Sequence, residues 1–523
     1  VMDNRIGKIR YIILGIIVGV LSGIIISLFR ISAGFLSSYT QDVYAFLRST
    51  DNPIWLILWI LFSIFLGGII IWLINSEPDI QGSVQNIQGH IQGLFKMDWL
   101  SVLIKKFIGG VISLGSAMAV GREGPSIQIG SVVGLGVDSF LGRSRADENL
   151  LLSAGASAGL AAAFNTPVAA VLLIIEEVYH KFSESLFLVT LTAAVAGSFV
   201  SYNVFGVRPI IDLDVLAEFP LDQYIYLVIL GIIMGVAGFI FQEVFLRVPG
   251  WYRKLPIPNY LIPIFSFLVV IPFGLFAPNL LGDGTNLIFE IQDGWYTLGA
   301  IALICFLRFV FIQASYGAGA PGGFFLPTLT LGALVGAVFG TALHNYLSVE
   351  QFLIMNFMVY AMAGLLTSVT NATLTSVVLL LELTGSVTHI MPLAIVCLLS
   401  FSTARVLKSD PIYEVLLMRK IKLPYSALKG SISESELIVE SNSRLDNMVV
   451  RDLNMPAPSH ITKINRDHRE FIPKANTILK ANDLITFQAD IGIASEAIHY
   501  LEDLNKNQDS YQDIKDKSFE GES

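Results

Sequence analysis

Long apolar runs separated by short polar segments make up most of the chain up to about residue 420. Several of these runs reach the roughly 20 residues that a helix needs to cross the hydrocarbon core of a bilayer. The pattern therefore predicts an all-α polytopic membrane protein. The runs cover residues 11–36, 54–75, 98–119, 187–207, 224–247, 260–278, 297–315, 329–346, 351–370 and 389–407.

Two further apolar segments, at residues 126–140 and 167–178, are too short or too interrupted by glycine and proline to cross a membrane alone. Taken singly, each is also compatible with a structural helix buried in the membrane. Together they favour a transporter, because transporters place broken helices around a buried binding site.

A different pattern begins near residue 425. Residues 425–523 hold 28 charged side chains, against 47 in residues 1–424, and the net charge divides into −6 and −3. This change predicts a small α+β cytoplasmic domain at 425–505 and a disordered tail at 506–523. The expected elements are strands at 436–440 and 483–487, a hairpin at 460–465 and 470–473, and helices at 445–453 and 492–504.

Overall composition agrees with a membrane location, since 54% of the residues are hydrophobic, 14% are charged and the mean hydropathy is +0.66. The net charge of −9 argues against nucleic acid as a partner. Cys305 and Cys397 lie inside apolar runs and are expected to pack there rather than form a disulfide. The seven histidines show no metal-ligand spacing, so neither a metal nor a cofactor is predicted.

Basic residues flank the membrane region at both ends. Arg5, Lys8 and Arg10 precede the first run, and further basic residues, such as Lys408 and Lys420, follow the last. Positive charge near spans marks the cytoplasmic side. We therefore expect a multi-pass protein of the cell membrane with both termini in the cytoplasm and an even number of crossings. The first run is long enough to be a retained span rather than a cleaved signal peptide.

The membrane region also repeats itself. The Ala-Gly-Leu at 158–160 recurs at 363–365, Asn165 matches Asn371, and Glu176 matches Glu382, at offsets of 205 or 206 residues. Pro125 matches Pro327 at an offset of 202. A chance match in Ala/Gly/Leu-rich sequence is the alternative, but four features in one order favour a duplicated unit with a site where the repeats meet.

The segment 121–130 places ionisable residues at membrane depth. Arg122 and Glu123 lie between glycines, ahead of Pro125 at the first turn of a predicted helix. An ionisable residue at this depth costs roughly 2.5–3.5 kcal/mol on insertion scales, whereas a helix start attracts anions. The segment therefore predicts that the Glu123 carboxylate and a free anion compete for one helix terminus. Arg122 is expected to bind backbone carbonyls, and Lys106 and Arg308 to serve structure or the local field.

Several motifs resemble one known family. They are Gly-Arg-Glu-Gly-Pro at 121–125, Ala-Phe-Asn-Thr-Pro at 163–167 with Ile-Ile-Glu-Glu at 174–177, Gly-Gly-Phe-Phe-Leu-Pro at 322–327 and Pro-Ile-Tyr at 411–413. Together they resemble the CLC chloride channels and proton–chloride exchangers over about residues 10–420. The resemblance implies a homodimer whose subunits each contain a pore and two inverted halves, at about 10–208 and 220–420 of a transmembrane domain spanning 1–424.

The resemblance also implies an anion site formed by the hydroxyls of Ser83 and Tyr413 and the backbone N–H groups around Phe324 and Phe325. Neutral donors suit an ion that must bind and leave again. Without the resemblance, ordinary hydrogen bonding would be the preferred explanation for Ser83 and Tyr413. The family's first loop usually reads Gly-Ser-Gly-Ile-Pro, whereas residues 82–86 here read Gly-Ser-Val-Gln-Asn. This departure leaves the anion preference and the loop geometry open.

Two glutamates carry the expected mechanism. Ionised Glu123 blocks the anion site, and protonated Glu123 leaves it with a proton. Glu177 falls where exchangers of the family keep a glutamate that passes protons to the cytoplasm, although a helix-end carboxylate at the membrane boundary is the alternative. The predicted function is a proton-coupled chloride antiporter. The alternatives are a passive voltage- or pH-gated chloride channel and a fluoride/proton antiporter, against which Ser83 and Glu177 count.

The C-terminal region, over about 430–505, resembles the TrkA-C domain of potassium-uptake regulators. The resemblance rests on the order of the predicted elements and on Phe-Ile-Pro at 471–473 and Lys-Ala-Asn-Asp at 480–483. It implies a dimerising module that senses a ligand, a cyclic dinucleotide or another nucleotide. The expected partners of the whole chain are thus chloride, protons, membrane lipid, a second copy and this nucleotide.

Overall fold

A computed structural model describes residues 2–141, 145–207, 218–293, 296–421, 432–456, 459–466, 469–490, 497, 500–501 and 503–505. Two compact units divide the chain, at residues 1–417 and 418–523. The predicted junction at 424–425 and the predicted disordered tail at 506–523 lie outside the described residues.

Helices form almost all of the first unit. Across the described ranges they are α1 (Met2–Ser49), α2 (Pro53–Ser76), α3 (Val84–Ile91), α4 (Trp99–Gly115), α5 (Glu123–Leu141), α6 (Arg145–Phe164), α7 (Pro167–Leu173), α8 (Glu184–Phe205), α9 (Tyr224–Tyr252), α10 (Ile262–Phe276), α11 (Thr285–Asp293), α12 (Leu298–Gly317), α13 (Phe325–Leu347), α14 (Leu353–Thr370), α15 (Thr373–Thr384), α16 (Ile390–Val406) and α17 (Ile412–Ile421).

Within the described part of the chain, eight helical segments are long and apolar enough to cross a membrane. The predicted all-α polytopic fold with broken helices is therefore confirmed. The runs predicted at 98–119 and 389–407 form the shorter helices α4 and α16, of 17 residues each. The short segment 167–178 forms α7 and a π-helical turn, Ile174–Tyr179, which continues it.

The apolar pattern does not reveal α6, because the buried part of this helix is rich in alanine and glycine instead of large apolar residues. These small residues let α6 pack against α5 with their backbones in contact. A Cβ on Gly155 would lie 2.0 Å from the Gly130 carbonyl oxygen, and a Cβ on Gly130 would lie 2.1 Å from that of Gly155. Close approach through small residues is the usual way in which membrane helices associate.

Two halves with the same order of elements make up the membrane unit. Helices α3 to α8 of the first half correspond to α11 to α16 of the second, at separations near 200 residues. The repeated asparagines end corresponding helices, since Asn165 follows α6 with φ +59° and Asn371 follows α14 with φ +66°. Asparagine tolerates this left-handed conformation at a helix end, which explains why the sequence repeats it there.

The repeated glutamates bind the opposite half. Glu176 accepts hydrogen bonds from the backbone N–H of Leu374 (3.1 Å) and of Thr375 (2.8 Å) at the start of α15. Glu382 accepts from the N–H groups of Val168 (3.0 Å) and Ala169 at the start of α7. Each half thus caps a helix of the other, and the pair is structural, as the sequence repeat indicates.

The second unit contains a four-stranded antiparallel sheet in the order β1-β4-β2-β3. Its strands are β1 (Ile432–Ile438), β2 (Ser459–Arg466), β3 (Arg469–Phe471) and β4 (Leu484–Asp490). Ile464 and Ile485 pair across β2 and β4 and lie in the core of this unit. The predicted strands, hairpin and α+β class are confirmed. The predicted final helix is only partly described, with helical residues at 497, 500–501 and 503–504.

The helix predicted at 445–453 is wrong. This segment forms turns and one short 3-10 helix, Val450–Asp452. Asn447 adopts φ +68°, and its N–H donates to Leu479 instead of to the preceding turn. Val449 also pairs with Ile478 as an isolated antiparallel β-bridge, so the backbone here pairs with a distant segment of the chain. Tertiary hydrogen bonds have overridden local helical periodicity.

Candidate ion pathway

The Glu123 carboxylate lies where two helices from opposite halves begin. α5 starts at Glu123 itself, and α13 starts at Phe325. The side chain is only 1% exposed. Its Oε1 accepts a hydrogen bond of 2.5 Å from the Phe325 N–H, and the backbone N–H groups of Leu326 and of Glu123 contact the same carboxylate. A negative group is therefore held at the N-terminal ends of two helices.

Glycines surround this carboxylate and join the two halves. Gly121 and Gly323 form an antiparallel bridge, with N–H to O distances of 2.7 and 2.8 Å in the two directions. A Cβ at Gly121 would lie 2.0 Å from Glu123 Oε2, and a Cβ at Gly323 would lie 2.3 Å from Oε1. Only glycine leaves room for the carboxylate at this bridge, so the repeated Gly-rich motifs shape the seat of Glu123.

An anion at this seat would meet the groups that now hold the carboxylate. Backbone N–H groups at a helix start, with the helix dipole behind them, form a ready anion site. A carboxylate oxygen and a halide both accept hydrogen bonds from these donors. Both cannot occupy the Phe325 N–H together, and competition between them stays a prediction.

An aromatic cluster lies next to the seat. The ring of Phe324 lies 5.4 Å from that of Tyr413 and 5.2 Å from that of Phe245, measured between centroids. Tyr413 is 2% exposed and interacts electrostatically with both Glu123 and Glu177. Tyr413, on α17, therefore lies beside Phe324, the residue that precedes α13.

Glu177 lies on the π-helical turn that continues α7. Its side chain is 3% exposed, and its carbonyl oxygen accepts a hydrogen bond of 2.5 Å from Gln88 Nε2 on α3. π-Helical turns are rare and concentrate at functional sites. While Glu176 on the same turn caps α15, Glu177 interacts with Glu414, which follows the tyrosine of α17. The neighbouring glutamates therefore have different surroundings.

Ser83 lies immediately before α3, with 6% exposure. Its hydroxyl donates to Gln85 Oε1 at 3.2 Å. Val84, at the position of a family glycine, is the first residue of α3 and is fully buried. A helical backbone needs no positive φ, which explains how valine is accommodated there. Ser83 is joined to the glutamate region through α3, whose Gln88 bonds to Glu177.

A buried lysine holds the Ser83 loop. Lys106 Nζ donates to the carbonyls of Ile80 (2.5 Å) and Gly82 (2.7 Å). The second half repeats this arrangement, because Arg308 Nη1 donates to the carbonyls of Leu280 (2.7 Å) and Gly282 (2.9 Å). Both cations serve structure, as expected. The two cations are 202 residues apart and the carbonyls that they bind are 200 apart.

This correspondence makes Asp283 the counterpart of Ser83, at an offset of 200. Asp283 interacts electrostatically with Glu123. Sequence reasoning missed it because no motif marks it, although extending the repeat from Lys106 and Arg308 to the loops that they hold would have found it.

The expectation for Arg122 is wrong. Its guanidinium lies over the ring of Phe164, at 5.3 Å from the centroid, and no described backbone carbonyl accepts a hydrogen bond from it. Arg122 lines a cavity of about 170 Å³ together with Arg30 and Asp283. Arg122 thus stacks on an aromatic ring at the cavity wall.

Comparison with known proteins gives two matches to family models. Residues 66–405 match the family described as voltage gated chloride channel, and residues 435–502 match the TrkA-C domain. The H(+)/Cl(-) exchange transporter ClcA of Salmonella paratyphi B (strain ATCC BAA-1250 / SPB7) is 32% identical over 425 residues, covering 78% of this chain and 88% of that protein. ClcA of Salmonella schwarzengrund (strain CVM19633) is 32% identical over 420 residues, covering 77% and 87%.

Solved structures share the fold. A slow cyanobacterial Cl−/H+ antiporter matches with a TM-score of 0.74 at 27% identity, over 79% of this chain and 98% of that one. A CLC-type fluoride/proton antiporter matches with a TM-score of 0.64 at 22% identity, over 76% and 95%. The second likeness concerns the fold alone.

Proposed function

The chain belongs to the CLC family of voltage-gated chloride channels and proton–chloride exchangers, and from this we infer that it exchanges chloride for protons across a membrane. The observation that supports this inference is the hydrogen bond from the Phe325 N–H to the Glu123 carboxylate, at a helix start that also suits a free anion. The similarity to proteins named H(+)/Cl(-) exchange transporters supports exchange over passive conduction.

The seat of Glu123 provides the coupling. Ionised Glu123 holds the N–H groups at the start of α13 and excludes chloride from them. Protonation removes the charge that these donors attract, so the side chain leaves with its proton and chloride takes its place. The hydroxyl of Ser83 turns from Gln85 to the ion, and the hydroxyl of Tyr413 adds a second neutral donor. Neutral donors bind chloride without trapping it.

Glu177 supplies the proton on the cytoplasmic side. It is buried, and Tyr413 interacts with both Glu177 and Glu123. In this proposal the proton moves between the carboxylates of Glu177 and Glu123. Chloride is expected to avoid Glu177, because a buried carboxylate repels an anion. The two ions then share the seat of Glu123 and separate beyond it.

A passive chloride channel is the second candidate. Glu177 weighs against it, since channels of the family usually lack this glutamate. Fluoride export is the third, and the retained Ser83 weighs against it. A reversal potential that does not depend on pH would favour the channel, whereas one that shifts with pH would favour the exchanger.

Proton movement driven by a chloride gradient tests the proposed function. The purified chain in liposomes should take up protons against their gradient when chloride flows down its own. External pH and chloride are recorded together with ion-selective electrodes. Chloride flux without any proton movement would replace the antiporter with the channel, and fluoride flux without chloride flux would replace it with the fluoride exporter.

We also propose that the chain works as a homodimer in a bacterial cell membrane with both termini in the cytoplasm. The proposed dimer is supported by exposed apolar side chains on α8 and α16. Phe199 is 66% exposed and Leu398 is 57% exposed. Cross-linking in native membranes and labelling of added terminal cysteines from either side test these two points.

The C-terminal unit is proposed to regulate transport by binding a nucleotide, such as a cyclic dinucleotide. The match of residues 435–502 to the TrkA-C model supports a separate ligand-sensing unit. A ligand changes transport only if it binds two conformations of this unit unequally. Calorimetry of the full chain and of a chain truncated after Lys422, against a nucleotide panel, tests whether binding depends on this unit.

A further inference from the structure

Asp283 lies on the wall of the cavity that Arg122, the residue before Glu123, also lines, and the mechanism above does not use it. The residue belongs to the loop between α10 and α11. The corresponding loop of the first half, between α2 and α3, carries Ser83. Asp283 lines the cavity of about 170 Å³ and interacts electrostatically with Glu123.

Three contacts hold the Asp283 loop in place. The Gly282 N–H donates to the Ala117 carbonyl at 2.8 Å, and Ala117 precedes the Gly121 bridge by four residues. Arg308 binds the Gly282 carbonyl, and the Thr330 hydroxyl of α13 donates to the Asp283 carbonyl at 3.1 Å. The loop is therefore tied to α12, to α13 and to the approach to Glu123.

The charges around Asp283 favour proton exchange over anion binding. The groups that face it are Glu123 on α5, Arg308 on α12, and Arg122 and Arg30 on the cavity wall. The arginines attract anions. A carboxylate among them weakens that attraction, so an anion site alone does not explain the aspartate. Unlike the arginines, a carboxylate can bind and release a proton.

We propose that Asp283 is a proton way station between Glu123 and the solution on the side of the Arg122 cavity. This inference rests on the proposed function and deepens it. In release, the O–H bond of the Glu123 carboxyl breaks and an O–H bond forms on the Asp283 carboxylate, directly or through solvent in the cavity. Asp283 then gives the proton to bulk water, and uptake runs in reverse.

A structural role is the competing explanation, because Asp283 Oδ1 accepts hydrogen bonds from the Thr285 N–H (3.0 Å) and hydroxyl (2.9 Å) at the start of α11. The substitution Asp283→Asn keeps an acceptor oxygen for these bonds and removes the ability to carry a proton. The substitution Thr285→Val removes one of the bonds and leaves the carboxylate. Glu290→Gln on α11 is the matched control, since Glu290 bonds to Asn279 and does not line the cavity.

The experiment measures chloride and proton fluxes of each full-length variant in liposomes, over a range of pH. For Asp283→Asn, proton flux should fall about tenfold, less than for a buried general acid because solvent reaches the cavity. Chloride flux should fall less, so the chloride-to-proton ratio rises. Thr285→Val and Glu290→Gln should keep the parent ratio.

Three results would overturn the way station. The first is an unchanged ratio and proton flux in Asp283→Asn. The second is a faster chloride flux at the parent ratio, which would mean that Asp283 acts only through its field on the anion. The third is an equal loss of both fluxes in Asp283→Asn and Thr285→Val, which would mean a helix cap. Chloride flux without protons in the parent chain would instead overturn the proposed function, and it would be seen before any substitution.

Discussion

One side chain, that of Glu123, carries the proposed coupling between protons and chloride. Its carboxylate fits a pocket of backbone N–H groups and glycines from two halves of the chain. Protonation would remove the negative charge that the backbone N–H groups attract. In the proposed mechanism, coupling depends on single carboxylates and on the donors facing them, so single substitutions should separate proton movement from chloride movement.

The substitution Glu123→Gln should abolish proton coupling while chloride flux continues. The amide imitates the protonated carboxyl but carries no proton between sites. Parallel pH and chloride recordings from liposomes should show proton movement at the level of empty liposomes. Glu290→Gln, which removes a surface carboxylate, should retain coupling. Uphill proton pumping by Glu123→Gln would contradict the role given to this residue.

The substitution Glu177→Gln should also remove proton coupling but leave the chloride dependence within about twofold of the parent, because Glu177 lies off the anion path. Chloride flux measured against chloride concentration checks the second part. Altered anion selectivity with intact proton transport would mean that the roles of the two glutamates are reversed.

The substitution Gly323→Ala should displace Glu123 from its seat. The added Cβ would lie 2.3 Å from Glu123 Oε1 and 2.7 Å from the Gly124 nitrogen, and such overpacking typically costs about 1–3 kcal/mol. Proton coupling should fall and the chloride-to-proton ratio should rise. Gly68→Ala on α2, where a Cβ meets nothing within 4 Å, is the control. Unchanged coupling in Gly323→Ala would show that the seat does not depend on this glycine.

At the scale of elements, the membrane unit depends on helix ends that meet inside it. α5 and α13 begin side by side, and α7 and α15 receive glutamate caps from each other's half. Broken helices leave backbone N–H groups without intrahelical partners, and inside a membrane these groups need partners from protein. The reciprocal caps therefore hold the halves together.

Each of the substitutions Glu176→Gln and Glu382→Gln should lower stability by about 1–3 kcal/mol, because glutamine offers one acceptor oxygen for two backbone N–H groups. Thermal denaturation in detergent, followed by size-exclusion chromatography, measures the loss. Glu176→Gln should lose more, since Glu176 also accepts from the Thr375 hydroxyl. A parent chloride-to-proton ratio in both variants would confirm a structural role, and a changed ratio would contradict it.

At the scale of the whole molecule, the described residues form two compact units of different character. The first buries its apolar core among helices, and the second has a core of its own around Ile464, Ile485 and Phe487. Because the second unit has its own core, transport and regulation are expected to be separable.

Truncation after Lys422 should leave a dimer that still exchanges chloride for protons at the parent ratio, because every ion-pathway residue lies before this position. The response to a nucleotide should disappear. Flux measurements on both chains, with and without a nucleotide panel, check the two parts. Unchanged regulation in the truncated chain, with no nucleotide binding to the full chain, would make the second unit an element of assembly or stability.

Much of this protein is determined by local sequence. Apolar run length predicts the spans because the thickness of the bilayer sets it, and the change in charge predicts the second unit. Motifs mark Glu123, Phe324 and Phe325, because a helix start needs glycine, proline and a defined spacing. The repeat marks Glu176 and Glu382 as an equivalent structural pair, although not the helices that they cap. These features are visible as patterns along the chain, so the sequence alone carries them.

Other features exist only once residues about 200 positions apart meet. The Gly121–Gly323 bridge, the hold of Arg308 on the Asp283 loop and the stacking of Arg122 on Phe164 are contacts between elements. The same holds for 445–453, where hydrogen bonds with the distant residues Thr477 and Leu479 replace a predicted helix. Local periodicity could not reveal these contacts, because their partners are supplied by packing and not by the neighbouring chain.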